Sequence, residues 1–288
     1  MEYERTTDHT QGGGAYSVWP SLPLRPFLVL LLFVDHEPGL DPALAALRPL
    51  GGFFVLRTLL AGTGDPPDPL PTLADAYAHQ SSDVYGHPLI FRVRKVAESV
   101  RAPEDRVAAS LAHQSLASRL WSVALGCAAL YGRLPDLDPA LLRWNPDASA
   151  PDDLWLTEVR PRPVADLAAL VLDAHLEPLA AALRTHHRVA PGLLRGNAAS
   201  ALAGSARQLS LWARQHGRTD VAAATRALTA ELFAHPLLAG TGTFTGPRFR
   251  RASCCLYYRV PGGGLCGDCC LDALPRAPRL GDHEGTGR

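Results

Sequence analysis

Apolar positions along the chain fall into three kinds of run. FLVLLLFV (27–34) and GGFFVLRTLLAG (51–62) are short continuous blocks, compatible with buried strands or with core helix segments, which periodicity alone does not separate. From Pro103 to about Gly132 the pattern changes. Ala108, Ala112, Leu116, Leu120, Val123, Cys127 and Leu130 recur at spacings of four and three and form one stripe on a helix. Pro103 suits a first helical position, and Glu104 and Asp105 suit the positive end of the helix dipole. On that stripe Cys127 reads as a small buried hydrophobe.

Three further helices follow from the same reasoning. The first runs from Val164 to about His187 with a kink or restart at Pro178. The second spans Leu193 to His216 and stops at Gly217, and the third spans Thr219 to about His235 and stops before Pro236. LADAYAHQ (73–80) adds a short helical stretch after the proline-dense break GDPPDPLP (64–71). The segment 134–156 is rich in loop residues, with a strand starting at Leu154, Trp155 and Leu156 before the breaker run RPRP (160–163). The pattern predicts an α+β protein, mainly α: a helical body with short strands in the N-terminal third and a C-terminal cysteine-bearing hairpin. Three regions follow. Residues 1–70 have a polar, Gly-rich start and no assigned role, 71–240 are mainly helical, and 241–288 carry the cysteines and end in a polar tail, GDHEGTGR.

Charge narrows the partners. Lys plus Arg and Asp plus Glu both number 28, so no global field draws the chain to nucleic acid or acidic lipid. No apolar run approaches the roughly 20 residues that cross a bilayer, so no transmembrane segment is expected, and peripheral membrane association stays open. The acidic, polar N-terminus does not resemble a secretory leader, and a cytoplasmic location is expected, where clustered thiols signal a metal centre more often than disulfides.

The thiols are the strongest signal. Five of the six cysteines stand between 254 and 270, and four of them read C-C-x10-C-x2-C: Cys254, Cys255, Cys266 and Cys269. A C-x2-C half occurs in both zinc and iron–sulfur sites. Adjacent cysteines on an extended chain point to opposite sides, which suits a two-iron cluster better than one tetrahedral zinc, although a local bend would rescue the zinc geometry. LYYRV (256–260) reads as a strand, and Pro261 with Gly262, Gly263 and Gly264 as the turn that brings the pairs together. The glycines serve either turn geometry or, through freed N–H groups, hydrogen bonds to cluster sulfurs. Around the thiols, Arg248, Arg250, Arg251, Arg259, Arg276 and Arg279 outnumber Asp268 and Asp272.

RRASCCLYYRVPGGGLCGDCCL resembles the C-terminal signature of the FhuF-like ferric siderophore reductases. The similarity extends less specifically through ASLAHQSLASRLWSVAL (109–125), DLDPALLRW (136–144) and GLLRGNAASALAGSARQL (192–209). The resemblance implies a [2Fe–2S] cluster held by Cys254, Cys255, Cys266 and Cys269, with Cys270 outside the pattern. It also implies one-electron reduction of an Fe(III)-siderophore, of hydroxamate type, to release Fe(II). Electrons would come from a ferredoxin or a nicotinamide-dependent reductase. The alternative is a non-redox siderophore-binding or zinc-stabilised interaction protein. No catalytic triad, P-loop or HExxH helix is present, and GTGTFTG (240–246) is not a GxGxxG motif. His113, His186 and His187 are read as structural, Asn197 as a helix cap, and Trp121, Trp144, Trp155 and Trp212 as core residues before pocket residues.

Overall fold

The computed structural model describes residues 40–59, 70–78 and 86–275. The expected apolar block at 27–34, most of the break at 64–71 and the tail after 280 lie outside them. The body is helical. It comprises α1 (Leu73–Ala78), α2 (Pro88–Val100), α3 (Asp105–Tyr131), α4 (Glu177–His186), α5 (Pro191–Gln215) and α6 (Thr219–Ala234). Among the described residues no helix is long and apolar enough to cross a membrane.

The helix α3 is the central post. It begins two residues after Pro103, because Glu104 is extended (φ −143°, ψ 138°) and acts as the cap, and it ends where Gly132 turns left-handed (φ 65°). The predicted stripe is buried or half-buried, yet burial is not confined to it: from Val107 to Ala128 nearly every position is covered. α2, α5 and α6 all pack against α3. Alanines at 108, 109, 112, 117, 124 and 128 allow neighbouring helices close. Cys127 lies in this core, fully buried, as the stripe required.

Pro178 does not break its helix. The chain forms a π-helical stretch, Ala169–Leu176, and the Glu177 N–H reaches back five residues to the Leu172 carbonyl before α4 resumes ordinary geometry. A proline cannot donate, so the change of hydrogen-bond register falls just ahead of it. α5 and α6 stop as expected, with Gly217 left-handed (φ 66°) between them.

The strands are short. β1 (Arg57–Thr58), β4 (Leu154–Leu156) and β3 (Leu142–Trp144) form one sheet in that order, with β1 parallel and β3 antiparallel to β4. Leu142, Trp144, Leu154 and Leu156 face inward, the alternation of a half-buried sheet. The run RPRP is a correction: Pro161–Pro163 is β5, an exposed edge strand paired with β2 (Arg133–Pro135), where missing N–H groups do little harm. Among the predicted core tryptophans, Trp121 and Trp144 are buried, Trp155 lies under the Arg57 guanidinium, and Trp212 stacks on His216.

Arg119 and Asp153 form an ion pair of 2.8 Å with side chains 1% and 7% exposed. The same guanidinium donates to the carbonyls of Gly52, Phe53 and Val55. This ties the loop before β1 and the loop before β4 to α3.

Candidate metal centre

The expected C-terminal hairpin is present, but it lies just ahead of the cysteines rather than across LYYRV. β6 (Gly242–Thr245) and β7 (Arg248–Arg251) pair antiparallel, with Phe244 opposite Phe249 and Gly242 opposite Arg251. Gly246, left-handed at φ 58°, makes the turn. The sequence signal for this hairpin is the alternation in TFTGPRFR around a Gly-Pro turn. Phe249 is buried and clusters with Phe244 and Phe233 of α6, at ring separations of 4.8 to 5.3 Å.

The alternation that buries Phe249 also buries Arg251, which is 3% exposed. Its guanidinium donates to Asn197 Oδ1 at 2.5 Å and to the Ser253 carbonyl at 3.0 Å, and more weakly to Leu193 O and Gln114 Oε1 at 3.4 Å. Every one of these acceptors is neutral. A buried cation with no carboxylate partner is costly unless another anion completes the site.

Asn197 is therefore not a helix cap. It is fully buried two turns into α5, which starts at Pro191, and it also donates from Nδ2 to the Ser110 carbonyl of α3 at 2.8 Å. Ser110 Oγ in turn donates to the Cys255 carbonyl at 2.8 Å. Gly196, beside Asn197, is required by close approach: a Cβ there would clash with Ser253 Oγ and lie 3.1 Å from Arg251 Nη2. The C-x2-C half is anchored on the same helix. Asp268, 8% exposed, accepts from Ser200 Oγ at 2.7 Å and from Arg207 at 3.4 Å, while its carbonyl accepts the Arg251 N–H at 3.0 Å.

LYYRV is not a strand. Leu256 is left-handed (φ 68°) and Tyr257–Arg259 form a single 3-10 turn, so the connection between the cysteine pairs is a compact loop. Gly262 is left-handed (φ 71°), and the Gly263 N–H bonds to Val260 O at 2.7 Å, so these glycines serve the turn. N–H groups that reach sulfur come from outside the glycine run: Tyr257 donates to Cys255 and Asp268 to Cys266. Leu256 donates to Cys254 Sγ at 3.3 Å and Leu271 to Cys269 Sγ at 3.4 Å.

The loop brings the two halves of the motif into contact. Cys255, 5% exposed, accepts a hydrogen bond from the Cys266 thiol; this contact pushes Cys255 down to about 6, with the Arg251 charge assisting, and pushes Cys266 up. Burial raises Cys254, which also feels Cys255, Cys270 and Cys269. Among the described residues no group of three or more His, Cys, Asp or Glu side chains is placed to hold a metal ion, and the two halves of the motif touch through Cys255 and Cys266. The surrounding arginines are less free than their number suggested. Arg250 pairs with Asp272 at 2.8 Å and Arg259 with Glu104, while Arg276 and Arg279 lie outside the described residues.

Residues 251–271 match the family model described as the FhuF 2Fe-2S C-terminal domain. The match bears out the resemblance carried by the cysteine spacing, and the cofactor of that domain is a [2Fe–2S] cluster. The FhuF family is associated with ferric siderophore reduction. A comparison with the curated proteins finds no match for the chain. The residues present fit such a group: soft thiolate donors, backbone N–H groups aimed at sulfur, and a buried guanidinium lacking a counter-charge.

Proposed function

We propose that this chain is a cytoplasmic ferric siderophore reductase whose [2Fe–2S] cluster is held by Cys254, Cys255, Cys266 and Cys269. Four thiols at the family spacing, in two halves that touch through Cys255 and Cys266 beside a buried, uncompensated Arg251, carry the reading. Bound there, the cluster supplies single electrons, the stoichiometry that converts Fe(III) to Fe(II). Hard oxygen chelators such as hydroxamates hold Fe(III) tightly and Fe(II) weakly, so reduction amounts to release.

The chain's own residues supply rigidity and charge. Ser110, Asn197 and Asp268 fix the two cysteine-bearing backbones to α3 and α5, which limits rearrangement when the charge changes. Arg251 favours the more negative, reduced state, and the Leu256 and Leu271 N–H groups act in the same direction. No side chain need move a proton for this chemistry, consistent with the absence of a triad from the sequence. The electron donor is a ferredoxin or a nicotinamide-dependent reductase.

The test is anaerobic. Purified protein is assayed for iron, acid-labile sulfide and visible absorbance, reduced, and mixed with a ferric trihydroxamate while a ferrous-specific chromophore reports Fe(II). Stoichiometric Fe(II) appearing as the visible bands recover supports the reading. A colourless, sulfide-free protein carrying one zinc would replace it with the zinc-stabilised interaction module.

A further inference from the structure

The π-helical stretch, α4, the first turns of α5 and the turn after α6 line a surface cavity of about 230 Å³. That is slightly below the usual range for drug-sized ligands, so it suits a small molecule. Its walls are apolar where Leu172, Leu176 and Leu194 contribute, and its charged groups are Arg184 and Arg195 with Glu177. Neither arginine has an ion-pair partner among the described residues. α5 points its N-terminal end into the space through Pro191 and Leu194, adding the positive end of a 25-residue helix.

His113 supplies an independent observation. It lines the cavity from α3, is 1% exposed, and its Nδ1 has no hydrogen-bond partner. Native proteins rarely leave such an atom unsatisfied, and the usual completion is a ligand or an ordered water. Burial holds its pKa down to about 3, so the ring offers a neutral hydrogen-bonding nitrogen and adds no charge. The π-to-α transition that shapes one wall is a feature enriched at functional sites.

We propose that this cavity is a binding site for a small organic monocarboxylate. Its carboxylate meets Arg184 and Arg195 at the end of α5, its apolar body lies against the leucines, and a polar atom meets the His113 imidazole. Two cations against the single carboxylate of Glu177 leave one net positive charge, which matches a monoanion better than a dianion. None of the cavity's lining residues is a cysteine.

The experiment uses the full chain with hexanoate as probe, hexanamide as its uncharged counterpart and inorganic phosphate as an anion without an apolar body. Binding is followed by calorimetry and by the imidazole nitrogen resonances of His113. Expected are saturable hexanoate binding, a shift of the His113 signals, and at least tenfold weaker binding in Arg195→Gln and Arg184→Gln, whose exposed side chains leave the fold intact. The proposal is overturned if hexanoate does not bind, if hexanamide or phosphate binds as tightly, or if both variants bind like the wild type. Unmoved His113 resonances in the presence of bound hexanoate would overturn it equally.

Discussion

Replacing Arg251 by methionine removes a 3%-exposed guanidinium while keeping much of its apolar stem. Two of its four hydrogen bonds are short, to Asn197 Oδ1 at 2.5 Å and Ser253 O at 3.0 Å, and the two at 3.4 Å are marginal. Bonds from a charged donor contribute about 1.5–3 kcal/mol each, so the two short ones amount to roughly 3–6 kcal/mol. Against this stands the desolvation of a cation that has no carboxylate beside it, several kcal/mol in practice. In metal-free protein the two effects nearly cancel, and Arg251→Met is expected to change stability by no more than about 2 kcal/mol. In loaded protein the cation also faces an anionic cluster. At an effective dielectric of about 20, opposite unit charges several ångströms apart attract by about 2–4 kcal/mol, and this is lost as well. The reduced, more negative state loses more than the oxidised one, so the midpoint potential falls, by roughly 60 mV for each 1.4 kcal/mol of difference in a one-electron couple. Denaturant unfolding of both forms and spectroelectrochemical titration read the two effects. Arg251→Lys keeps the charge without the fork and should retain most of the potential while losing stability. A potential unchanged or raised in Arg251→Met, or equal destabilisation of both forms, would refute the assignment of Arg251 as counter-charge.

Arg119→Met strands the 7%-exposed Asp153 carboxylate and should cost about 3–5 kcal/mol in urea unfolding, whereas the double change with Asp153→Leu should cost less than the single one. His175 is fully buried between the Tyr77 hydroxyl, which donates to Nδ1 at 2.9 Å, and the Leu137 carbonyl, which accepts from Nε2 at 2.5 Å. Burial lowers its pKa to about 4. Its neutral form is the folded one, so its contribution is present above the unfolded pKa of about 6.5 and is lost as pH falls towards 4, about 2 kcal/mol between pH 7 and 5. The difference in unfolding free energy between wild type and His175→Gln should show that slope; parallel curves would contradict it. Gly196→Ala gains about 1 kcal/mol of helix propensity but displaces Ser253, so global stability should barely change while iron retention during dialysis against a chelator falls. Adding Ser253→Ala, which removes the clashing Oγ, should restore retention.

Helix ends were legible where a glycine imposed them, as at Gly132 and Gly217. The all-round burial of α3 was not, because a stripe of seven apolar positions describes one face, and small residues on the other faces carry no hydrophobic signal of their own. The cysteine spacing was legible because it is local. The residues that hold it were not: Ser110 meets Cys255 across 145 positions, Ser200 meets Asp268 across 68, and Asn197 meets Arg251 across 54. LYYRV alternates like a strand, yet among the described residues no partner strand lies beside it, and the left-handed Leu256 lets its N–H bond to Cys254 instead. Tertiary hydrogen bonding outweighed a short local pattern there.

The hairpin connects the helical body to the charge under the thiols. In β7 side chains alternate between faces, so placing Phe249 inside places Arg251 inside and leaves Arg248 and Arg250 outside. A slip of one residue would reverse this and put Arg250 beneath the cysteines with Arg251 in solvent. What prevents the slip is aromatic: Phe249 and Phe244 lock on Phe233 of α6, and Gly242, opposite Arg251, leaves room that a side chain would take from Phe249. The register of a four-residue strand, set by packing on the helix that precedes the hairpin, thus determines whether a buried positive charge accompanies Cys255.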